Sequence, residues 1–236
     1  MRTLRTHLRR LRSERGVTMP ELLVGMAIGM GTALGAYAVI DTSVKQTNAI
    51  AGRVNATQRG RLVMDTVTRQ LRSQVCFSPI VPALIDASDD KITFYTDLSD
   101  GSRLLEKREL LFDPATKRIT ERIWAGVAGS PITHPTVTRT RVLLDDVVKR
   151  VLRPSGVILP TFRYYAYNTL VPPRPEVLLP TPLSATNLAR VAKIDIGFNT
   201  LPPAGKSTAT SALTLQNEIY VRVANPNDPA PTPTCA

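Results

Sequence analysis

Residues 15–40 read RGVTMPELLVGMAIGMGTALGAYAVI, and this stretch carries the strongest structural signal in the chain. Its part from 22 to 40 holds 19 consecutive residues without a charge. A helix rising about 1.5 Å per residue would span about 28 Å there, which is close to the thickness of a bilayer's hydrocarbon core. The sequence therefore predicts one transmembrane helix at residues 22–40.

The charge on the 236-residue chain is unevenly distributed around this helix. Residues 1–16 hold six arginines and one acid, so they supply +5 of the formal net charge of +11. Because basic flanks stay in the cytoplasm, we expect a single-pass protein of the cytoplasmic (inner) membrane with an extracytoplasmic C-terminal part. An apolar content of 43% is enough for a folded core in that part.

One carboxylate, Glu21, immediately precedes the uncharged run. An acid deep in a membrane span costs about 2.5–3.5 kcal/mol on insertion scales, and less near the interface. A cost of that kind usually indicates a binding partner. Pro20 suits the first turn of a helix, where its missing N–H is not needed.

This junction resembles the class III leader of type IV prepilins and pseudopilins, in which a basic leader ends in Gly and the fifth mature residue is Glu. The resemblance implies that prepilin peptidase cleaves between Gly16 and Val17 and that Val17 is then N-methylated. It also implies that Glu21 pairs with the N-terminal amine of a neighbouring subunit during assembly. Two departures are that Val17 replaces the usual Phe and that the leader, residues 1–16, is long and arginine-rich.

Two other interpretations of the N-terminus stay open. An ordinary signal anchor would use the same basic tail and apolar run, with Glu21 incidental. A conventional signal peptide would be cleaved after the A-x-A pattern Ala36-Tyr37-Ala38, although its apolar region would be longer than usual.

No proline occurs in residues 21–75. The sequence therefore predicts one long N-terminal helix over 17–75, of which the part from 21 to 75 would be about 80 Å long. Beyond Asp41 the pattern becomes amphipathic, and we expect its apolar stripe to lie against a globular domain. The stripe consists of Ile50, Val54, Thr57, Met64, Val67, Leu71 and Val75. The arginines fall largely off this stripe, which is typical of a solvated face. Gly25-x-x-x-Gly29 and Gly31-x-x-x-Gly35 match the close-packing pattern of membrane helices.

Residues 76–224 predict a β-rich globular head, followed by a Pro-rich tail at 225–236. The β-like runs are 91–96, 108–112, 118–124, 161–167, 190–198 and 213–224, while 143–152 fits a strand or a short helix. The sequence Asp113-Pro114-Ala115-Thr116-Lys117 predicts a hairpin turn between two of them.

The order of these segments is similar to that of J-type minor pseudopilins of type II secretion and W-type minor pilins of type IV pili. The matching segments are RQLR at 69–72, FRYYAY at 162–167, VAKIDIGF at 191–198 and NEIYVRVANP at 217–226. The resemblance implies an α+β pilin-like fold, in which the long N-terminal helix packs on a C-terminal antiparallel sheet domain.

The two cysteines, Cys76 and Cys235, both lie on the extracytoplasmic side of the predicted span. An oxidising compartment favours a disulfide between them, worth about 4–5 kcal/mol under a loop-entropy model. Two free thiols or intermolecular pairing are the alternatives.

The residues predict no catalytic site, no cofactor and no metal. Two histidines and two cysteines exclude a His-rich centre and a four-thiolate zinc site. The segment Gly205-Lys206-Ser207-Thr208 lacks the first glycine of a phosphate loop, because residue 200 is Thr. We therefore expect a non-enzymatic subunit.

The resemblance implies as partners other pilins or pseudopilins, the inner-membrane assembly platform and prepilin peptidase, with assembly at the tip of a pilus or pseudopilus. Nucleic-acid binding during DNA uptake is an alternative, because residues 17–236 carry +6 and the end of the helix is rich in arginine, although only Arg163 adjoins an aromatic cluster, at 162–167. A signal-anchored extracellular binding domain is another.

Overall fold

The computed structural model describes residues 17–77, 81–98, 104–129, 131–152, 154–168, 175–202 and 213–221. The chain divides into two compact units, residues 1–49 and 50–236. Helix α1 (Met19–Arg72) contributes to both units, and all the strands belong to the second. This arrangement confirms the predicted α+β fold with a long N-terminal helix and a C-terminal antiparallel sheet domain.

The first sheet of the second unit is an antiparallel meander whose spatial order follows the chain. Its strands are β1 (Leu84–Ala87), β2 (Lys91–Thr96), β3 (Glu106–Asp113), β4 (Arg118–Trp124) and β5 (Arg139–Leu144). The predicted hairpin turn is confirmed between β3 and β4. The Asp113 carboxylate accepts the Ala115 N–H at 2.9 Å, and Lys117 closes the turn with a φ of 54°.

The second sheet has the order β10-β9-β7-β8, and β6 pairs with the far end of β9. Its strands are β6 (Val147–Val148), β7 (Phe162–Tyr167), β8 (Glu176–Leu178), β9 (Lys193–Thr200) and β10 (Leu213–Tyr220). A short helix, α2 (Ala185–Leu188), precedes β9. The predicted segment 143–152 contains the end of β5, a turn at Asp146 with a φ of 58°, and then β6.

The core of the second unit joins the C-terminal part of α1 to both sheets. Met64, Val67 and Leu71 of the predicted stripe are buried in it, as expected. The N-terminal half of the stripe was predicted wrongly, because Ile50 and Val54 are 61% and 48% exposed. Small residues are buried instead, namely Gly52, Ala56 and Gly60. A face of small residues brings the helix backbone nearer to the sheet than Ile and Val would allow.

Helix α1 ends at Arg72, three residues before the expected position. The chain then becomes extended, because the Val75 N–H donates to the Tyr95 carbonyl at 3.1 Å and Gln74 forms a bridge with Thr96. Pairing with β2 therefore ends the helix without a proline.

Candidate processing and assembly segment

Thr18 and Glu21 contact each other at the start of α1. The backbone N–H groups of Glu21 and Leu22 donate to the Thr18 carbonyl at 3.0 and 3.1 Å, and the Thr18 hydroxyl donates to the Glu21 carboxylate at 3.4 Å. Thr18-Met19-Pro20-Glu21 has the Thr-x-x-Glu spacing of a capping box, a signal that the sequence analysis did not use. A carboxylate in the first helical turn also interacts favourably with the helix dipole, by about 0.3–1 kcal/mol. Glu21 therefore has a local role that does not depend on any partner.

The predicted cleavage site is described on its mature side only. Val17 lies before the helix and is 69% exposed, whereas Gly16 lies outside the described residues. Cleavage between them and N-methylation of Val17 both stay predictions.

The apolar part of α1 is exposed along its whole length, since every residue from Val17 to Ile40 is exposed. Its most apolar 18-residue window has a mean hydropathy of 1.8, and none of that window is buried. Within the described residues, α1 is the one helix long and apolar enough to cross a membrane. The Thr32 hydroxyl donates to the Gly29 carbonyl at 2.9 Å, so this polar group is satisfied inside the helix, as a lipid environment requires.

The glycines of this segment occupy open space. A Cβ added at Gly25, Gly29, Gly31 or Gly35 would meet no atom within 4 Å. Each glycine costs about 1 kcal/mol of helix stability relative to alanine. The described part of the chain supplies no packing contact that offsets this cost.

A buried carboxylate ties the C-terminal part of α1 to the first sheet. Glu121 of β4 has no exposed surface and accepts hydrogen bonds from Gln70 Nε2 at 2.8 Å and Arg108 Nη1 at 2.9 Å. Arg141 Nε donates to its other oxygen, and Arg108 also binds Glu106 at 2.6 Å. Two arginines and an amide compensate the desolvation of this one carboxylate, so its burial is tolerated. Sequence patterns alone do not predict this network, because residues 118–124 show only the features of a strand.

A second contact joins α1 to the other sheet, since the Asn217 side-chain amide donates to the Thr68 hydroxyl at 2.8 Å. With the Glu121 network, this fixes the last turns of α1 to both sheets of the second unit.

A second buried carboxylate lies on β9. Asp195 is fully buried, binds the Arg163 guanidinium and lies 3.4 Å from Arg150 Nη2. Gly197 makes room for this cation, because a Cβ there would lie 2.2 Å from Arg150 Cζ. Phe162 and Tyr164, which flank Arg163 in sequence, are buried. Arg163 is therefore held by Asp195 between two buried aromatic rings, and nucleic-acid binding stays an untested alternative.

A third charged cluster surrounds Lys193, whose ammonium contacts Glu176, lies 3.5 Å from Glu218 and is 4.5 Å from the ring centroid of Tyr165. Burial lowers the pKa of Lys193, but the hydrogen bond and charge of Glu176 outweigh it and leave that pKa raised. Burial likewise raises the pKa of Glu176, and hydrogen bonds from Lys193 and Tyr220 more than offset this, so the pKa of Glu176 is lowered. The cluster is thus held in its charged form.

Cys76 lies four residues after the end of α1, in the extended segment beside β2, while Cys235 lies outside the described residues. The Cys76–Cys235 disulfide therefore stays a prediction. Among the described residues, no group of three or more His, Cys, Asp or Glu side chains could hold a metal ion.

No known family profile matches this chain, and no curated protein matches it in sequence. The fold itself, a long N-terminal apolar helix whose C-terminal part packs on antiparallel sheets, is compatible with a pilin-like protein.

Proposed function

We propose that this chain is a non-enzymatic minor pilin or pseudopilin subunit. Prepilin peptidase cleaves it after Gly16, Val17 is N-methylated, and α1 assembles the subunit into a type IV pilus or a type II secretion pseudopilus. The observation that carries the proposal is that α1 combines two different surfaces. Its part before Asp41 is apolar and exposed on every side, and its last turns are buried against a folded head.

The exposed glycines support an assembly role. Gly25, Gly29, Gly31 and Gly35 weaken the helix and serve no contact within the described chain. Small residues spaced in this way allow neighbouring membrane helices to approach closely. Packing against the helices of other subunits gives these glycines a function.

Glu21 supports the same role by its lack of a cationic partner. Within the described residues, its carboxylate contacts only the Thr18 hydroxyl, and no Lys or Arg forms an ion pair with it. An N-terminal amine from a neighbouring subunit would supply the positive charge that an acid entering a low-dielectric environment needs.

The attachment of α1 to the head suits a subunit at the tip. The Glu121 network and the Thr68–Asn217 hydrogen bond hold the helix against both sheets. At the end of a filament, such a head could contact cargo or initiate assembly.

The first experiment measures the intact mass and the N-terminal residue of the protein from its native host. The expected product begins with N-methylated Val17. A chain that begins at Met1 would indicate a signal-anchored binding domain, and one that begins at Val39 would indicate a soluble secreted domain; either result contradicts the proposal.

A second experiment removes the charge of Glu21 and keeps the size of its side chain. Glu21→Gln keeps a residue that is suitable for a capping box but removes the charge, so processing should continue while co-purification with other filament subunits is lost. Asp41→Asn is the matched control, because it removes one carboxylate from the same helix where the proposal needs none. Equal assembly of both variants would contradict the role given to Glu21.

A further inference from the structure

The four outer strands of the two sheets differ in how they are protected from pairing with other chains. Exposed edges are usually blocked by short length, irregular register, proline or basic side chains. β8 has only three residues, β1 has four and a register shift, and β5 carries Arg139 and Arg141 and pairs with β4 through a register shift.

β10 has none of these features. Its eight residues pair with β9 in one unbroken register, and they include no proline, lysine or arginine. Among the described strands, β9 is its only partner. Among the described residues, no backbone hydrogen bond joins 213–220 to any segment besides β9.

A groove of 380 Å³ lies beside this edge, between β10 and α1. Gln216 and Asn217 line it from the strand, and Arg61, Asp65 and Arg72 line it from the helix. The volume is in the range of sites that hold a ligand group or a few side chains.

The groove is positively charged. Within the described residues, neither Arg61 nor Arg72 forms an ion pair. The only acid in the lining, Asp65, lies 3.9 Å from Arg69, and its side chain is 79% exposed. Two unpaired arginines beside a free strand edge complement an extended segment with carboxylates on one side.

We propose that the free edge of β10 and the helix face at Arg61 and Arg72 form a docking groove for an extended acidic segment of another protein. The segment adds as a strand to β10, and its carboxylates pair with the two arginines. Strand addition supplies affinity through the main chain, and the side chains supply selectivity. A second copy of this chain is a poor occupant, because residues 17–236 already carry a net charge of +6. This inference does not rest on the filament assignment.

The test measures binding of fluorescent octapeptides to the full-length protein in detergent micelles. The probe alternates Glu and Val between terminal Thr residues; one control peptide has Lys in place of Glu, and another has Pro in place of the central Val. We expect saturable binding of the Glu peptide alone. Equal binding of the Lys or Pro peptide, or no binding of the Glu peptide at about 1 mM, overturns the proposal.

Matched double variants then locate the site. Arg61→Glu with Arg72→Glu should weaken binding by about tenfold or more, because two favourable pairs become repulsive. Arg53→Glu with Arg59→Glu makes the same change of charge on the same helix outside the groove and should have little effect. Equal losses in both would show that only net charge matters, which overturns the proposal.

Hydrogen exchange and a nucleic-acid probe complete the test. The bound peptide should slow amide exchange in the segment 213–221 and leave 175–178 unchanged. Binding without this protection would show that no strand is added. Tighter binding of a single-stranded DNA oligonucleotide than of the Glu peptide, lost in the Arg61/Arg72 variant, would assign the groove to nucleic acid instead.

Discussion

Helix α1 lies close to the second sheet at Gly60. A Cβ at this position would lie 2.4 Å from Leu215 Cδ1 and 2.7 Å from Thr200 Cγ2, both far inside van der Waals contact. The Leu215 methyl is the end of a flexible side chain and can move away. Thr200 is β-branched, sits in β9 and is 2% exposed, so it has little freedom to yield. We therefore expect Gly60→Ala to separate the helix from the sheet.

The size of the effect follows from two opposing contributions. Overpacking a buried contact costs about 1–3 kcal/mol, whereas replacing a helical glycine by alanine gains about 1 kcal/mol. Gly52 provides the matched control, because it is on the same buried face but its nearest atom, Pro202 Cβ, would lie at an ordinary 3.6 Å. Since the propensity gain is common to both, Gly60→Ala should be about 1–3 kcal/mol less stable than Gly52→Ala.

The assay is urea unfolding of the full-length protein and of both variants in the same detergent, followed by near-UV and far-UV circular dichroism. Gly52→Ala should raise the unfolding midpoint, and Gly60→Ala should lower it at an unchanged slope. If the two variants were equally stable, the close approach of α1 to Thr200 would be refuted, together with the explanation of why small residues replace the predicted stripe.

The buried network and the charged cluster give two further predictions. Glu121→Gln should cost about 1.5–3 kcal/mol in urea unfolding, because Arg108 keeps only Glu106 as a carboxylate partner and Arg141 loses its own. Asp145→Asn, in an ion pair exposed to solvent, should cost at most about 1 kcal/mol. Similar losses would contradict the assignment of Glu121 as a buried link. Because the pKa of Glu176 is lowered in the folded state, its contribution to stability is present above its unfolded pKa and is lost as the pH falls through the folded value. Wild type should therefore lose stability relative to Glu176→Gln when the pH falls from about 6 to about 3, and parallel unfolding curves against pH would contradict this.

Local sequence patterns were sufficient to predict two strands and one hairpin turn. The alternation in 91–96 and 118–124 gave β2 and β4 with their observed bounds, and the Asp-Pro turn gave the hairpin between β3 and β4. β1 and β8 were missed because four and three residues are too few to show a period of two. Their pairing depends on neighbouring strands more than on their own composition.

The helix face was harder to predict, for a physical reason. Ile50 and Val54 are the most hydrophobic residues of their region, and a hydrophobicity pattern selects them for the core. The structure instead buries Gly52, Ala56 and Gly60, because close approach of backbones favours residues without bulk. Hydrophobicity alone therefore predicts the wrong buried helix face wherever close packing of a helix on a sheet depends on small side chains.

The ionic networks could not be predicted from sequence, because their members are distant along the chain. Glu121 is 51 residues from Gln70, 13 from Arg108 and 20 from Arg141. A charged residue inside a strand is predicted to face solvent unless the elements that pack against that strand are known. The burial of Asp195 under Arg150 is of the same kind, since it needs Gly197 to leave space for the guanidinium.

The N-terminal part of α1 is exposed, whereas its C-terminal part packs on the head. Substitutions in the two parts can therefore test assembly and folding separately. Between Val17 and Ala49 no residue is buried, whereas nine residues between Gly52 and Leu71 are. Substitutions at Glu21 or at the four open glycines should therefore leave the unfolding of the head unchanged, whatever they do to assembly. Substitutions at Gly60 or Gln70 should lower head stability first. A variant of Glu21 that destabilised the head as strongly as one of Gln70 would show that the start of α1 contributes to folding, and the assembly role proposed for it would lose its main support.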